Sequence, residues 1–137
     1  MATAVDTSVL LDVLLGDPLH ATDSEAALFK AANQGGLIIN EVVIAEIMPV
    51  LTKVSLHQVL SDWQINFMPS SVQSAKLAGE MFRFFLERGG KRGRVVPDFL
   101  IAAHAQIHAS GLLARDRGYY RDYFKSLKIL DPTRKNN

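Results

Sequence analysis

The chain has 137 residues, of which 48% are hydrophobic and 21% are charged, and its formal net charge is +1 at pH 7. This profile is typical of one soluble globular domain, which we place at residues 1–137. The absence of cysteine excludes disulfides and thiolate metal sites and fits the reducing cytoplasm. Asp6 and Asp12 interrupt the apolar N-terminal run, so neither a secretory signal nor a membrane span of roughly 20 apolar residues is predicted.

The charges are unevenly distributed along the chain. Residues 1–69 contain eight acidic and two basic residues, whereas residues 70–137 contain six acidic and thirteen basic residues. Such a division is expected for a metal site beside a phosphate-binding rim. Chance clustering of charges on solvated faces explains it equally well.

The first half of the chain alternates short apolar strands with helices. A strand is predicted at residues 2–5, followed by a turn and a helix that ends at residues 16–18. A capping box at residues 22–25 predicts the start of a second helix, and a strand candidate follows at residues 37–39.

Helix signals continue through the middle of the chain. Asn40 is a predicted N-cap for a helix over residues 41–48, which Pro49 should break just past Glu46. A helix is predicted over residues 55–63 and a weak strand over residues 65–67.

The second half of the chain begins with the clearest amphipathic helix. A capping box of Ser70 and Gln73 opens it, and Val72 lies on its apolar face. A basic loop, a second helix containing Asp98, and strands at residues 112–114 and 127–130 follow. Strands that alternate with helices predict an α/β fold with a largely parallel sheet, in which ligands bind beyond the carboxyl ends of the strands.

Two aspartates are predicted at that carboxyl edge. Asp6 directly follows the first strand, and Asp116 lies two residues beyond Ala114, at the end of another strand. Taken alone, Asp6 is also explained as a helix N-cap and Asp116 as an ordinary turn aspartate.

Two further acids interrupt strongly apolar helices. Glu46 is the only charge in VVIAEIM and is predicted to be buried, so it needs a metal, a cationic partner such as arginine, or a raised pKa. Asp98 opens the segment DFLIAAHA, where it can cap the helix and also point an oxygen into a site. Carboxylates from four separate elements suit a hard cation such as Mg²⁺ or Mn²⁺.

Two histidines, His104 and His108, lie four residues apart on the same helix. This spacing can bind zinc, but the HExxH arrangement is absent because position 105 is alanine. We therefore interpret them as a polar, exposed stripe.

Four segments resemble, in order and spacing, the motifs of PIN-domain proteins, and most of all those of the VapC toxins of type II toxin–antitoxin modules. They are VDTSVLLD, NEVVIAEI, VVPDFLIAAHA and LLARDRGYYRDYF. The resemblance covers nearly the whole chain.

The resemblance implies a three-layer α/β/α fold with a central, mainly parallel sheet. It also implies a homodimeric Mg²⁺- or Mn²⁺-dependent endoribonuclease that a cognate VapB-like antitoxin neutralises. The hydroxyl residue that follows the first acid matches Thr7 or Ser8. The catalytic and metal-binding acids of the family carry over onto four positions, Asp6, Glu46, Asp98 and Asp116.

The RNA substrate itself would need a basic surface. Candidates for contacting its backbone lie in two loops, at Lys91, Arg92, Arg94, Arg115 and Arg117. Tyr119 or Tyr120 is a candidate for stacking on an unpaired base. Ordinary exposed loop bases and core tyrosines explain the same residues equally well.

Ala114 departs from the resemblance, because many relatives have serine or threonine two positions before the fourth acid. A hydroxyl that would orient an acid, a water or a phosphate is therefore missing. A non-catalytic PIN-like module that binds RNA or protein stays open as an alternative. A phosphoacceptor receiver domain also needs clustered aspartates, but it expects a lysine after a late strand, where Arg115 and Asp116 stand.

Overall fold

A computed structural model of the chain describes residues 1–91, 93, 95–115 and 118–133. Within them, five short strands form one parallel sheet in the order β3-β2-β1-β4-β5. The five strand predictions are confirmed, with small shifts at their ends. The strands are β1 (Thr3–Val5), β2 (Leu37–Ile39), β3 (Ile65–Phe67), β4 (Gly111–Leu113) and β5 (Ile129–Leu130).

Helices cover the sheet. Helix α1 packs against α2, α5 packs against α6, and α7 contacts both α5 and α6. The arrangement is the predicted three-layer α/β/α fold. No helix in the described part of the chain is long and apolar enough to cross a membrane. The helices are α1 (Thr7–Leu14), α2 (Ala21–Asn33), α3 (Glu41–Ile47), α4 (Leu56–Asp62), α5 (Val72–Glu87), α6 (Val95–His108) and α7 (Tyr119–Tyr123).

The boundaries of α3 follow the predicted local chemistry. The side chain of Asn40 caps the helix by accepting hydrogen bonds from the N–H groups of Val42 and Val43. Pro49 lies in a 3-10 turn, Met48–Val50, that replaces the α-helix after Ile47. Proline causes this change because it lacks the N–H donor that the next helical turn would need.

The capping box predicted at residues 22–25 is wrong. Helix α2 begins at Ala21, and the residue before it, His20, makes no side-chain cap. Asp17 instead accepts hydrogen bonds from the N–H groups of Leu19 and His20, which fixes the turn before the helix. The start of α2 is therefore set by a turn aspartate upstream of the predicted box.

The capping box predicted at the start of α5 is displaced by one residue. Ser71 is the cap, and it exchanges side-chain hydrogen bonds with Ser74 in place of the expected pair of Ser70 and Gln73. This register makes Val72 the first residue of the helix and leaves it 79% exposed, which contradicts its predicted burial.

An aromatic cluster joins α5, α6 and α7. Phe99 is fully buried at its centre. Its ring centroid lies 5.8 Å from that of Phe85 and 5.5 Å from that of Phe124, both close to edge-on. Edge-to-face pairs of this kind contribute beyond their buried area. The cluster holds the first turns of α6, where Asp98 lies, against α7.

His104 is buried, so the predicted exposed histidine stripe is wrong. Its side chain is 1% exposed, and among the described residues its Nε2 atom has no hydrogen-bond partner. Helix α6 is covered on most sides, because Ala102, Ala103 and Ala105 are also fully buried. Burial lowers the pKa of His104, since desolvation disfavours the charged imidazolium.

We predict that His104 makes the stability of the protein depend on pH near neutrality. The folded chain favours neutral His104, so the unfolded chain binds the proton more readily, and stability falls as pH drops below the ordinary pKa of 6.5. The urea concentration at the midpoint of unfolding should fall less between about pH 8 and about pH 5 in His104→Leu than in the parent. The exposed His57 supplies a control, His57→Gln, which should behave like the parent. An undiminished loss in His104→Leu would contradict the assignment.

Candidate active site

Asp6 lies at the carboxyl edge of the sheet, between two neighbouring strands. It directly follows β1, and its backbone N–H donates to the carbonyl oxygen of Leu113 at the end of β4, at 2.9 Å. Its side chain caps α1 by accepting hydrogen bonds on Oδ2 from the N–H of Ser8 at 3.1 Å and from the Ser8 hydroxyl. The predicted capping role is therefore confirmed. In this strand order, the chain winds in opposite directions on the two sides of the β1–β4 pair, which is where open α/β sheets bind ligands.

The other oxygen of Asp6 is bound from a distant element. The hydroxyl of Tyr120 in α7 donates to Asp6 Oδ1 at 2.8 Å. Tyr120 is fully buried, so it is not available to stack on a base, and that hypothesis was wrong for this residue. The sequence did contain a signal for its burial, because Tyr120 and Phe124 are four residues apart and both are buried. The pattern did not identify Asp6 as its partner.

Glu46 is exposed, which contradicts its predicted burial. The segment is apolar on all sides, but α3 is a short helix that buries only Val43 and Ile47, one turn apart. Glu46 Oε1 accepts a hydrogen bond from the hydroxyl of Thr7 at 2.6 Å. Among the described residues Glu46 forms no ion pair, so the alternative of a salt bridge to arginine finds no support there. Because Thr7 follows Asp6 directly, the two acids stand at the same edge of the sheet.

Asp98 is the fourth residue of α6 and is half-buried. It therefore lies inside the first turn and is not the N-cap that we considered. Ser110, just past the other end of α6, donates to the carbonyl oxygen of Ala2 before β1. Helix α6 leads directly into β4, which is parallel to β1, so α6 runs antiparallel to both strands, and the 10 residues from His108 back to Asp98 rise about 15 Å. This rise places the first turn of α6 towards the carboxyl edge, which also carries Asp6.

A second buried aspartate in α1 has a different environment. Asp12 is 3% exposed and accepts two hydrogen bonds from Arg115, from Nε at 3.0 Å and from Nη2 at 3.1 Å. The Ser24 hydroxyl donates to it as well, at 2.8 Å. Removing one partner of a buried ion pair costs about 3–5 kcal/mol, and the partial exposure of Arg115 puts this pair at the lower end. Arg115 therefore has a structural partner that the sequence did not predict.

The remaining predicted residues are placed only in part. Lys91 is exposed, as a residue that contacts the RNA backbone should be. Asp116, Arg92, Arg94 and Arg117 lie outside the described residues. Contact of these basic residues with RNA, including Arg115, stays a prediction.

A cavity of about 600 Å³ lies on another part of the protein, between α2 and strands β4 and β5. Lys30, Arg121 and Lys128 are among its lining residues. Of the predicted acids that the structure describes, neither Asp6 nor Glu46 nor Asp98 lines it. These three acids therefore belong to a different part of the protein from this cavity.

The environment of Asp6 fits a bound cation. Its carboxylate is 2% exposed, yet every donor that reaches it from the described residues is neutral: one backbone N–H and the hydroxyls of Ser8 and Tyr120. Oxygen donors without cysteine or histidine are the set that Mg²⁺ and Mn²⁺ prefer. In the described part of the chain, no three His, Asp or Glu side chains are close enough to hold a metal ion on their own. The fit therefore rests on Asp6.

The sequence matches the family model of the PIN domain over residues 3–125. A comparison with curated proteins finds no significant match. Similar solved structures include VapBC2 from Rickettsia felis bound to a DNA fragment from its promoter, with a TM-score of 0.69 and 17% identity over 95% of this chain and 98% of that chain. FitAcB from Neisseria gonorrhoeae has a TM-score of 0.68 and 18% identity over 95% and 97% of the two chains.

DNA-bound VapBC from Salmonella typhimurium is similar to the same degree, with a TM-score of 0.70 and 17% identity over 96% of this chain and 99% of that chain. At such identities the likeness to these structures shows the fold alone. The match to the family model reaches further, because it spans nine-tenths of the sequence. On that basis, the chain belongs to the PIN domain family.

Proposed function

We propose that this protein is a metal-dependent endoribonuclease of the VapC toxin type, which cleaves RNA phosphodiester bonds. One observation carries the proposal: Asp6 is buried at the ligand-binding edge of a PIN-domain sheet, and the described residues give it no cationic partner. Burial of a carboxylate is costly unless a cation compensates it. A divalent ion supplies that compensation and serves the reaction.

The four acids have distinct roles in this proposal. Asp6, Asp98 and Asp116 hold Mg²⁺ or Mn²⁺, with Glu46 as a further ligand or as the residue that orients a water. When bound, the ion lowers the pKa of a water and offsets charge on the scissile phosphate. Thr7 occupies Oε1 of Glu46, which leaves Oε2 to accept a hydrogen bond from a water on the solvent side.

In this proposal, the basic loops bind the RNA substrate. Lys91 and its neighbours Arg92 and Arg94 contact the RNA backbone, together with Arg117. Arg115 is a weaker candidate, because two of its N–H groups already bind Asp12.

The alternative is a PIN-like module that binds RNA or protein without cleaving it. The missing hydroxyl at Ala114 is its only support. Ala114 is fully buried, and Asp6 receives its hydroxyl donors from Ser8 and Tyr120 instead. The orientation of Asp6 therefore does not depend on a hydroxyl at position 114.

We predict that the purified protein cleaves single-stranded RNA with Mg²⁺ or Mn²⁺ and not with EDTA. Asp6→Asn and Asp98→Asn should each reduce cleavage by about 100-fold or more, because metal-assisted charge stabilisation is worth several kcal/mol. Asp23 is an exposed acid on α2, so Asp23→Asn is a matched control. This variant should cleave RNA like the parent. Gel-resolved cleavage rates measure the effect. Undiminished cleavage by Asp98→Asn would refute the role of that residue, and a parent protein that binds RNA without cutting it would favour the alternative.

We further propose a homodimer that a VapB-like antitoxin neutralises. The similar structures from Rickettsia felis and Salmonella typhimurium are VapBC complexes. Leu15 and Leu19 flank the turn between α1 and α2 and are 62% and 80% exposed. Apolar side chains this exposed provide a contact for a protein partner.

We predict that a short reading frame lies just upstream of this one and that the chain copurifies with its antitoxin-like product. Leu19→Glu should weaken the complex, because it places a charge in an apolar contact, whereas Val72→Glu on α5 should leave it intact. Size-exclusion chromatography after coexpression gives the measurement. Elution of the chain without that neighbour would contradict the proposed partner, and retention by Leu19→Glu would contradict the proposed surface.

A further inference from the structure

Tyr120 is a buried polar side chain with an unusual partner. It lies on the short helix α7, is fully buried, and directs its hydroxyl to Oδ1 of Asp6 at 2.8 Å. A buried tyrosine hydroxyl needs a hydrogen-bond partner, and a backbone carbonyl is enough to satisfy it. Here the partner is the one buried carboxylate for which the described residues provide no cation.

Asp6 is thereby held from two sides by elements far apart in the sequence. Ser8, in α1, occupies Oδ2 through its backbone N–H and its hydroxyl. Tyr120, 114 residues from Asp6, occupies Oδ1. Each carboxylate oxygen can accept two hydrogen bonds or metal contacts, so the two donors of Ser8 fill Oδ2, whereas Oδ1 keeps one acceptor position for a cation beside the Tyr120 hydroxyl.

We propose that Tyr120 is a positioning residue that orients the Asp6 carboxylate for a divalent cation. The inference rests on the proposed function and adds a residue to its site. Hydrogen bonds to a ligating carboxylate fix its orientation, and their loss typically reduces metal affinity or activity by about 10–100-fold. Tyr120 contacts neither the ion nor the RNA in this role, because its ring is buried in the core.

Tyr120→Phe tests the inference, since it keeps the ring and removes only the donor. Tyr123→Phe is the matched control, because Tyr123 belongs to the same helix and its ring packs on Phe99. The dissociation constant of Mn²⁺ is measured by calorimetry on the metal-free protein without RNA, and the melting temperature is measured in EDTA. We expect Mn²⁺ to bind Tyr120→Phe at least about tenfold more weakly than the parent, and Tyr123→Phe to match the parent.

A purely structural role gives a different result. In that case Tyr120→Phe melts at a lower temperature and binds Mn²⁺ as tightly as the parent, which overturns the inference. Replacement of Tyr120 by 4-aminophenylalanine restores a donor at the same place and should recover most of the affinity. If the phenylalanine variant does not fold, 4-fluorophenylalanine at position 120 provides a donor-free ring closer in shape to tyrosine.

The parent protein separates this inference from the proposed function. A parent that binds no Mn²⁺, or binds it as well after Asp6→Asn, refutes the metal site itself. A parent that binds Mn²⁺ through Asp6 while Tyr120→Phe binds equally well refutes only the role of Tyr120.

Discussion

The structure depends on how a buried carboxylate, that of Asp6, is stabilised at the edge of a parallel sheet. Two aspartates, Asp6 at the N-cap of α1 and Asp12 within α1, are almost completely buried, and they differ in whether a cation lies beside them. Asp12 has a bidentate arginine, whereas the donors that reach Asp6 from the described residues are all neutral. The fold pairs the carboxylate of Asp12 with its own cation but gives the carboxylate of Asp6 only neutral donors. Asp6 is therefore suited to bind a cation from solution.

The surrounding fold keeps that carboxylate in place. Backbone pairing of Asp6 with Leu113 ties it to the junction of β1 and β4. The aromatic cluster around Phe99 packs α6 against α7, so the element that carries Asp98 and the element that carries Tyr120 are held together. Phe99 follows Asp98 directly, and loss of a buried ring of this size typically costs about 3–5 kcal/mol. The packing of the core and the geometry of the site are therefore coupled.

Local sequence patterns predicted the fold and part of the site, and tertiary packing decided the rest. The strands, the Asn40 cap and the break at Pro49 follow from backbone chemistry within a few residues, so the sequence predicts them well. The exposure of Glu46 and the burial of His104 depend on which helix faces are covered by other elements, and a uniformly apolar segment does not reveal this. The hydrogen bond from Tyr120 to Asp6 joins residues at opposite ends of the chain, and no short-range pattern reports it.

The most direct measurement is a crystal structure of the protein after soaking with Mn²⁺, in which anomalous scattering locates the manganese ions. The account predicts one or more manganese peaks at the carboxyl edge of the sheet, with an Asp6 carboxylate oxygen within about 2.5 Å of the ion. Absence of manganese from Asp6 at saturating concentration, with a lysine or arginine side chain paired to that carboxylate instead, would contradict it.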